Sequence, residues 1–268
     1  KPETRCIHIE EDPWEIGKVF PVDVGIVADA RSALRSLLEI CPGHLDKSDG
    51  ISKAERLDCL RKAKEEMQAE LEARAREGWN SVPIHPPRLV REMDRLLGDD
   101  LLIVNESPTT KEVLMSNFAF KPGRSYFSNS SGGYLGWGLG AAIGAQLSDL
   151  KRKVVACLGD GSAMFGLQGL WTLAKYQVPL LVIVFNNQAY MAVKNQYRGP
   201  EERVKLASQL SADLVGPDLN FARLAQCFGI FGQRVERPEE IARALEGALQ
   251  QTGPAVVDVV ISQKSRKD

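Results

Sequence analysis

Three short, nearly continuous apolar runs constrain this chain more than any other feature: Val154 to Leu158, Leu180 to Phe185 and Ala255 to Val260. None alternates apolar with polar residues, so neither face of the strands they predict can meet water. The stretches between them carry helical spacing, for instance Leu167, Leu170, Trp171 and Ala174 on one face. Strands buried on both faces and separated by helices make an α/β fold, an open parallel sheet with helices on both faces. Arg88 to Leu97 as a helix and Leu101 to Val104 as a strand begin that pattern. In such sheets ligands sit beyond the carboxyl ends of the strands, so chemistry is expected just after Val104, Leu158 and Phe185.

Upstream, the pattern is different. Residues 1–42 read as strand, turn, strand and helix (Cys6 to Ile9, Asp12-Pro13-Trp14, Val22 to Val27, Ala30 to Ile40), too little to close a core alone. Residues 43–87 form a linker: a polar breaker from Gly43 to Gly50, a charged helix from Ile51 to Glu77, and Gly78 to Pro87. The large domain is expected over residues 88–268. With 34 basic against 35 acidic residues the net charge is -1, which offers no field to recruit nucleic acid or an anionic membrane, so any acidic ligand must be held locally. The apolar runs fall well short of the roughly 18 to 20 residues that span a bilayer, and Lys1-Pro2-Glu3-Thr4 opens no signal-peptide core, so neither membrane segment nor export is expected. Five scattered cysteines without a CxxC predict reduced thiols in the cytoplasm. His8, His44 and His85 have no metal-ligand spacing, and none is expected to be catalytic.

Two strand ends carry the chemistry. Val154 to Leu158 runs into Gly159-Asp160-Gly161-Ser162 and then a helix, whose free N–H groups suit a phosphate that glycines let approach. Asp160 would repel that anion unless a divalent cation bridged the two, and Mg2+ typically takes one or two carboxylates plus phosphate oxygens and water. The run Leu180 to Phe185 ends in Asn186-Asn187-Gln188-Ala189-Tyr190, and Ser162 to Phe185 is length enough for one crossover helix and a strand. The two ends can then share one ion. Glu106, after the Leu101 strand, reads equally as a pocket carboxylate or as the cap of the next helix.

GDG followed by NN one crossover later resembles the signature of thiamine diphosphate (ThDP) enzymes. The text around it resembles the benzoylformate decarboxylase and acetolactate synthase group, notably Asn105-Glu106-Ser107, the run from Gly132 to Gly144, and Gly159-Asp160-Gly161-Ser162-Ala163. The resemblance implies that residues 1–42 close a Rossmann-like middle domain and that 88–268 bind diphosphate and Mg2+. It implies Asp160, Asn187 and the carbonyl of Ala189 as metal ligands, and Thr109, Gly161, Ser162 and Tyr190 as diphosphate contacts. Leu135 would be the wedge that bends the cofactor into a V, and the Gly133 carbonyl would hold its pyrimidine amino group. Met191, Ala192, Val193 and Gln196 fall where the group lines its substrate pocket. Met191 to Tyr197 lacks the tryptophan that the acetolactate synthases carry there.

The glutamate that activates the pyrimidine lies, in that group, in a pyrimidine-binding domain outside this sequence, so such a domain is an expected partner, from another chain or a missing segment. A homodimer or tetramer is expected as well. The implied activity is Mg2+-dependent decarboxylation of a 2-oxo acid, with carboligation of the enamine as a branch. The alternatives are an acyl-CoA lyase or decarboxylase of the same family and a non-catalytic ThDP-binding module.

Overall fold

The structure, a computed structural model, describes residues 4–44, 53–129, 134–196 and 212–263. It divides into two compact units, Lys1–Lys64 and Glu65–Asp268.

In the first unit, β1 (Ile7–Glu10) pairs in parallel with β2 (Val24–Val27), and α1 (Ala30–Ile40) follows. Asp29 starts α1 by accepting the Ser32 N–H at 2.8 Å, satisfying one donor of the open first turn. No residue of α1 is buried, and Leu34 and Leu38 on its apolar face are exposed. The boundary between the units falls inside α2 (Lys53–Glu77), a charged helix on which Asp58 pairs with Lys62 and Glu70 with Arg74, each one turn apart.

The second unit is built on six parallel strands: β3 (Leu101–Glu106), β4 (Arg124–Ser128), β5 (Lys153–Gly159), β6 (Leu181–Asn186), β7 (Phe231–Val235) and β8 (Ala255–Val260). They lie in the order β4-β3-β5-β6-β8-β7. Every residue of β3, β6 and β8 is buried, the polar Asn105, Glu106, Asn186 and Asp258 along with their apolar neighbours. Alternate side chains feed two cores. Leu101, Ile103, Val155, Cys157, Ile183 and Val257 pack under α3 (Pro86–Leu96), α4 (Lys111–Asn117) and α10 (Ile241–Leu249). Leu102, Val104, Ala156, Leu158, Val184 and Val256 pack under α5 (Trp137–Ser148), α7 (Gly169–Tyr176) and α9 (Phe221–Cys227).

The crossover after β5 is two short helices, α6 (Asp160–Gly166) and α7, rather than one. The break turns α7 so that Leu170 and Leu173 face the core, whereas Trp171, expected on the apolar face, is 52% exposed and lies under the Lys175 ammonium. After β6 comes α8 (Met191–Gln196). No helix among the described residues is long and apolar enough to cross a membrane.

Candidate functional site

The chain leaves β3 for β4 on one side and returns to β5 on the other, so the strand order reverses between β3 and β5. A sheet of this kind opens a crevice at the carboxyl ends where that reversal occurs. Asp160 follows β5 there and is 2% exposed. Its Oδ1 accepts the Gly161 N–H at 2.8 Å and its Oδ2 the Ala189 N–H at 3.2 Å. The same Ala189 N–H donates to Asn187 Oδ1 at 3.0 Å. A carboxylate and an amide oxygen from two adjacent strands therefore converge on one point. Burial pushes the Asp160 carboxyl up to about 6, with the backbone donors opposing the rise. No lysine or arginine among the described residues forms an ion pair with it. A buried carboxylate with only backbone partners has room, electrostatically, for a cation.

The loop that brings Asn187 to this point is held from below. Asn186 Nδ2 donates to Asp258 Oδ1 at 2.9 Å, and Asn186 Oδ1 accepts the Gln188 N–H at 3.2 Å, closing a turn in which Gln188 takes φ 57°. Asp258, fully buried on β8, also accepts the Phe221 N–H at 3.0 Å and Arg234 Nη1 at 3.2 Å. Gln263, just past β8, donates its side-chain amide to the Asn187 carbonyl at 3.0 Å. Sequence reasoning missed this support. The signal was present: Asp258 is the one charge in an otherwise apolar run, and a buried charge needs partners.

The other expected residues fall around the same strand ends. Ser162 is buried in the first turn of α6. Gly161 lies against the Tyr190 ring so closely that a Cβ would come within 2.6 Å of Tyr190 Cε1. Glycine is thus demanded by Tyr190, and the Gly161 N–H, expected to face diphosphate, is taken by its neighbour's carboxylate. Thr109, exposed on the loop after β3, accepts from Asn187 Nδ2 at 3.4 Å, which draws the third strand end into the group. Leu135 is half-buried immediately before α5, while Gly133 lies outside the described residues. Met191 is buried at the start of α8 but Ala192 and Val193 are exposed, as successive helical positions must diverge. Gln196 ends that helix, with its side chain outside the described atoms. Glu106 caps α5 and not the next helix in sequence, α4: its two oxygens accept the N–H groups of Gly136 and Gly138 at 2.6 and 2.7 Å. Among the described residues no three His, Cys, Asp or Glu side chains gather, and the pair that converges at Asp160 and Asn187 offers oxygen donors, the kind that hard cations prefer.

Comparison with known proteins identifies what the chain is similar to. Residues 109–259 match the C-terminal TPP-binding domain of thiamine pyrophosphate enzymes. The chain is 30% identical over 269 residues to a probable acetolactate synthase large subunit of Methanocaldococcus jannaschii, covering 97% of this chain and 42% of that one. It is 34% identical over 177 residues to benzoylformate decarboxylase of Pseudomonas aeruginosa, covering 66% of this chain and 32% of the relative. The solved structure of a thiamine diphosphate-dependent 4-hydroxybenzoylformate decarboxylase from Rhodococcus jostii superposes with a TM-score of 0.72 at 27% identity, over 97% of this chain and 44% of that one. The chain thus spans less than half the length of these relatives.

Proposed function

Because the chain belongs to the thiamine pyrophosphate enzymes, through their C-terminal TPP-binding domain, we propose that its strand-end site holds the diphosphate of ThDP through Mg2+, in an enzyme that decarboxylates a 2-oxo acid. One observation carries the reading: Asp160 Oδ2 and Asn187 Oδ1 lie within 3.2 Å of the same nitrogen. The donor set fits the ion. A carboxylate, an amide oxygen and the Ala189 carbonyl are hard ligands, and diphosphate and water oxygens would supply the rest of the six that Mg2+ prefers. The Ala189 carbonyl accepts the Met191 N–H at 2.9 Å with one lone pair and keeps the other for the metal. A divalent charge beside Asp160 would also offset the desolvation that raises its carboxyl.

Around the ion, the hydroxyls of Thr109, Ser162 and Tyr190 would donate to the diphosphate, and Gly161 leaves room for the Tyr190 ring beside it. Leu135 would serve as the wedge that orients the cofactor's rings, and the carbonyl of Gly133, outside the described residues, would hold the pyrimidine amino group. Met191, with Ala192, Val193 and Gln196 of the same helix, contributes to the substrate pocket. When bound, ThDP supplies the electron sink for loss of CO2; the chain's part is to bind, orient and exclude water. Relatives named as acetolactate synthase, glyoxylate carboligase and benzoylformate decarboxylase support a 2-oxo acid substrate, with carboligation as a branch.

In the whole protein a pyrimidine-binding domain, from another chain or another segment, adds the activating glutamate, within a homodimer or tetramer. Residues 1–42 belong to a middle domain, 43–87 to its linker and 88–268 to the cofactor domain. The five free thiols suit a reducing cytoplasmic location. Calorimetric titration with ThDP in Mg2+ and in EDTA tests the site: equal affinity in both would remove the metal. Adding a pyrimidine-binding half and screening 2-oxo acids for CO2 release tests the activity, and silence with every acid would favour a non-catalytic module.

A further inference from the structure

The metal and diphosphate assignments leave Asn105-Glu106-Ser107 without a task. Glu106 closes β3 and is 5% exposed. Its carboxylate grips the start of α5 with both oxygens, Oε1 on the Gly136 N–H at 2.6 Å and Oε2 on the Gly138 N–H at 2.7 Å. Gly136, the N-cap, has no side chain to satisfy the open donors of the first turn, so a residue thirty positions earlier does so from the neighbouring strand. Two charge-assisted bonds with fixed spacing hold the peptide plane as well as its position.

The clamp is closed on its other side too. Gly136 takes φ 96°, and a Cβ there would lie 2.8 Å from both the Cβ and the carbonyl oxygen of Phe165 in α6, the helix that Asp160 begins. A Cβ on Gly138 would lie 2.6 Å from Glu106 Cβ. The tip of β3, the end of α6 and the start of α5 are thus interlocked around one peptide, and Leu135 is the residue bonded to it. Burial raises the Glu106 carboxyl while the α5 N–H groups oppose the rise, so these donors favour the ionised, doubly accepting form.

We propose that Glu106 is a positioning residue that acts through Leu135: its bidentate grip on Gly136 and Gly138 sets where the wedge stands against the ring end of the cofactor. The proposal rests on the reading of Leu135 as that wedge. Glutamine in place of Glu106 offers one acceptor and turns its NH2 donors on the other N–H, so Glu106→Gln should release the loop without altering the side chains assigned to the diphosphate.

The test separates the two ends of the cofactor. The 268-residue chain is titrated with Mg2+-pyrophosphate, which engages only the diphosphate end, and with Mg2+-ThDP. Glu106→Gln is expected to lose about tenfold in ThDP affinity while pyrophosphate affinity stays within about threefold. The double variant Glu106→Gln/Leu135→Ala should lose no more than Leu135→Ala alone, because residues that act as one unit are not additive. Equal losses for both ligands, unchanged ThDP affinity, or additive losses in the double variant would overturn the proposal. A wild-type chain that binds no Mg2+-pyrophosphate would instead sink the site reading, and this proposal with it. If melting shows Glu106→Gln unfolded, Glu106→Asp, a methylene too short to reach both N–H groups, takes its place in the same comparisons.

Discussion

On the proposed reading, Asp160 meets opposite demands in the free and metal-loaded states, and its behaviour can be anticipated from them. Buried among backbone donors, its carboxyl titrates at about 6, above the ordinary value of 3.8. In the metal-free chain the raised value means that Asp160 stabilises the fold fully below about 3.8 and loses that contribution as pH rises through about 6. Mg2+ needs the ionised form, so the sign reverses for binding. Mg2+-dependent ThDP affinity should be level above about pH 7 and fall towards tenfold per unit well below 6. Titrations between pH 5 and pH 8 check this, and a flat profile would mean that the metal does not compete with a proton at Asp160. Asp160→Ala should weaken Mg2+-dependent ThDP binding by at least the ~10- to 100-fold associated with losing even an outer metal-site group. Unchanged affinity would take Asp160 out of the site.

Among elements, the central strands follow directly from their residues and the edges do not. Ala255 to Val260 is legible as β8 because every side chain is buried, whichever face it takes. The edge strands β4 and β7, Arg-Ser-Tyr-Phe-Ser and Phe-Gly-Gln-Arg-Val, are only partly buried, and their mixed polarity matches neither an alternating nor an unbroken apolar pattern. The same limit hid the division of the crossover into α6 and α7, since period alone does not mark a break at Leu167 and Gln168. β7 nonetheless supplies Arg234 to Asp258, and through it steadies the Asn186 turn. Without Asp258, Arg234 keeps Asp218 and Glu236, but the buried Phe221 N–H and Asn186 Nδ2 lose their acceptor. Asp258→Ala should therefore cost about 1–3 kcal/mol of stability, read as a shift in the urea midpoint. A loss under about 1 kcal/mol would show that the pair is solvated and does not brace the turn.

For the molecule as a whole, the residues proposed to hold metal and diphosphate all lie within the unit Glu65–Asp268, while the relatives it resembles are more than twice as long. On the proposed reading, the rigorously purified chain binds Mg2+-ThDP yet releases no CO2 from any 2-oxo acid until a pyrimidine-binding half is added. Turnover by the chain alone, followed by a coupled CO2 assay, would refute that division of labour. Composition and periodicity determined the parallel sheet and which strand tips face the crevice, because burial on two faces dictates unbroken apolar runs and a strand's end is written in its neighbours. They did not choose partners. That one Ala189 N–H lies between Asp160 and Asn187, that Glu106 caps α5 rather than facing the pocket, and that Asp258 answers to Asn186 and Arg234 were decided by tertiary structure. Most of these contacts join residues about thirty to seventy positions apart, and a periodic pattern encodes which way a side chain faces, not what stands opposite it.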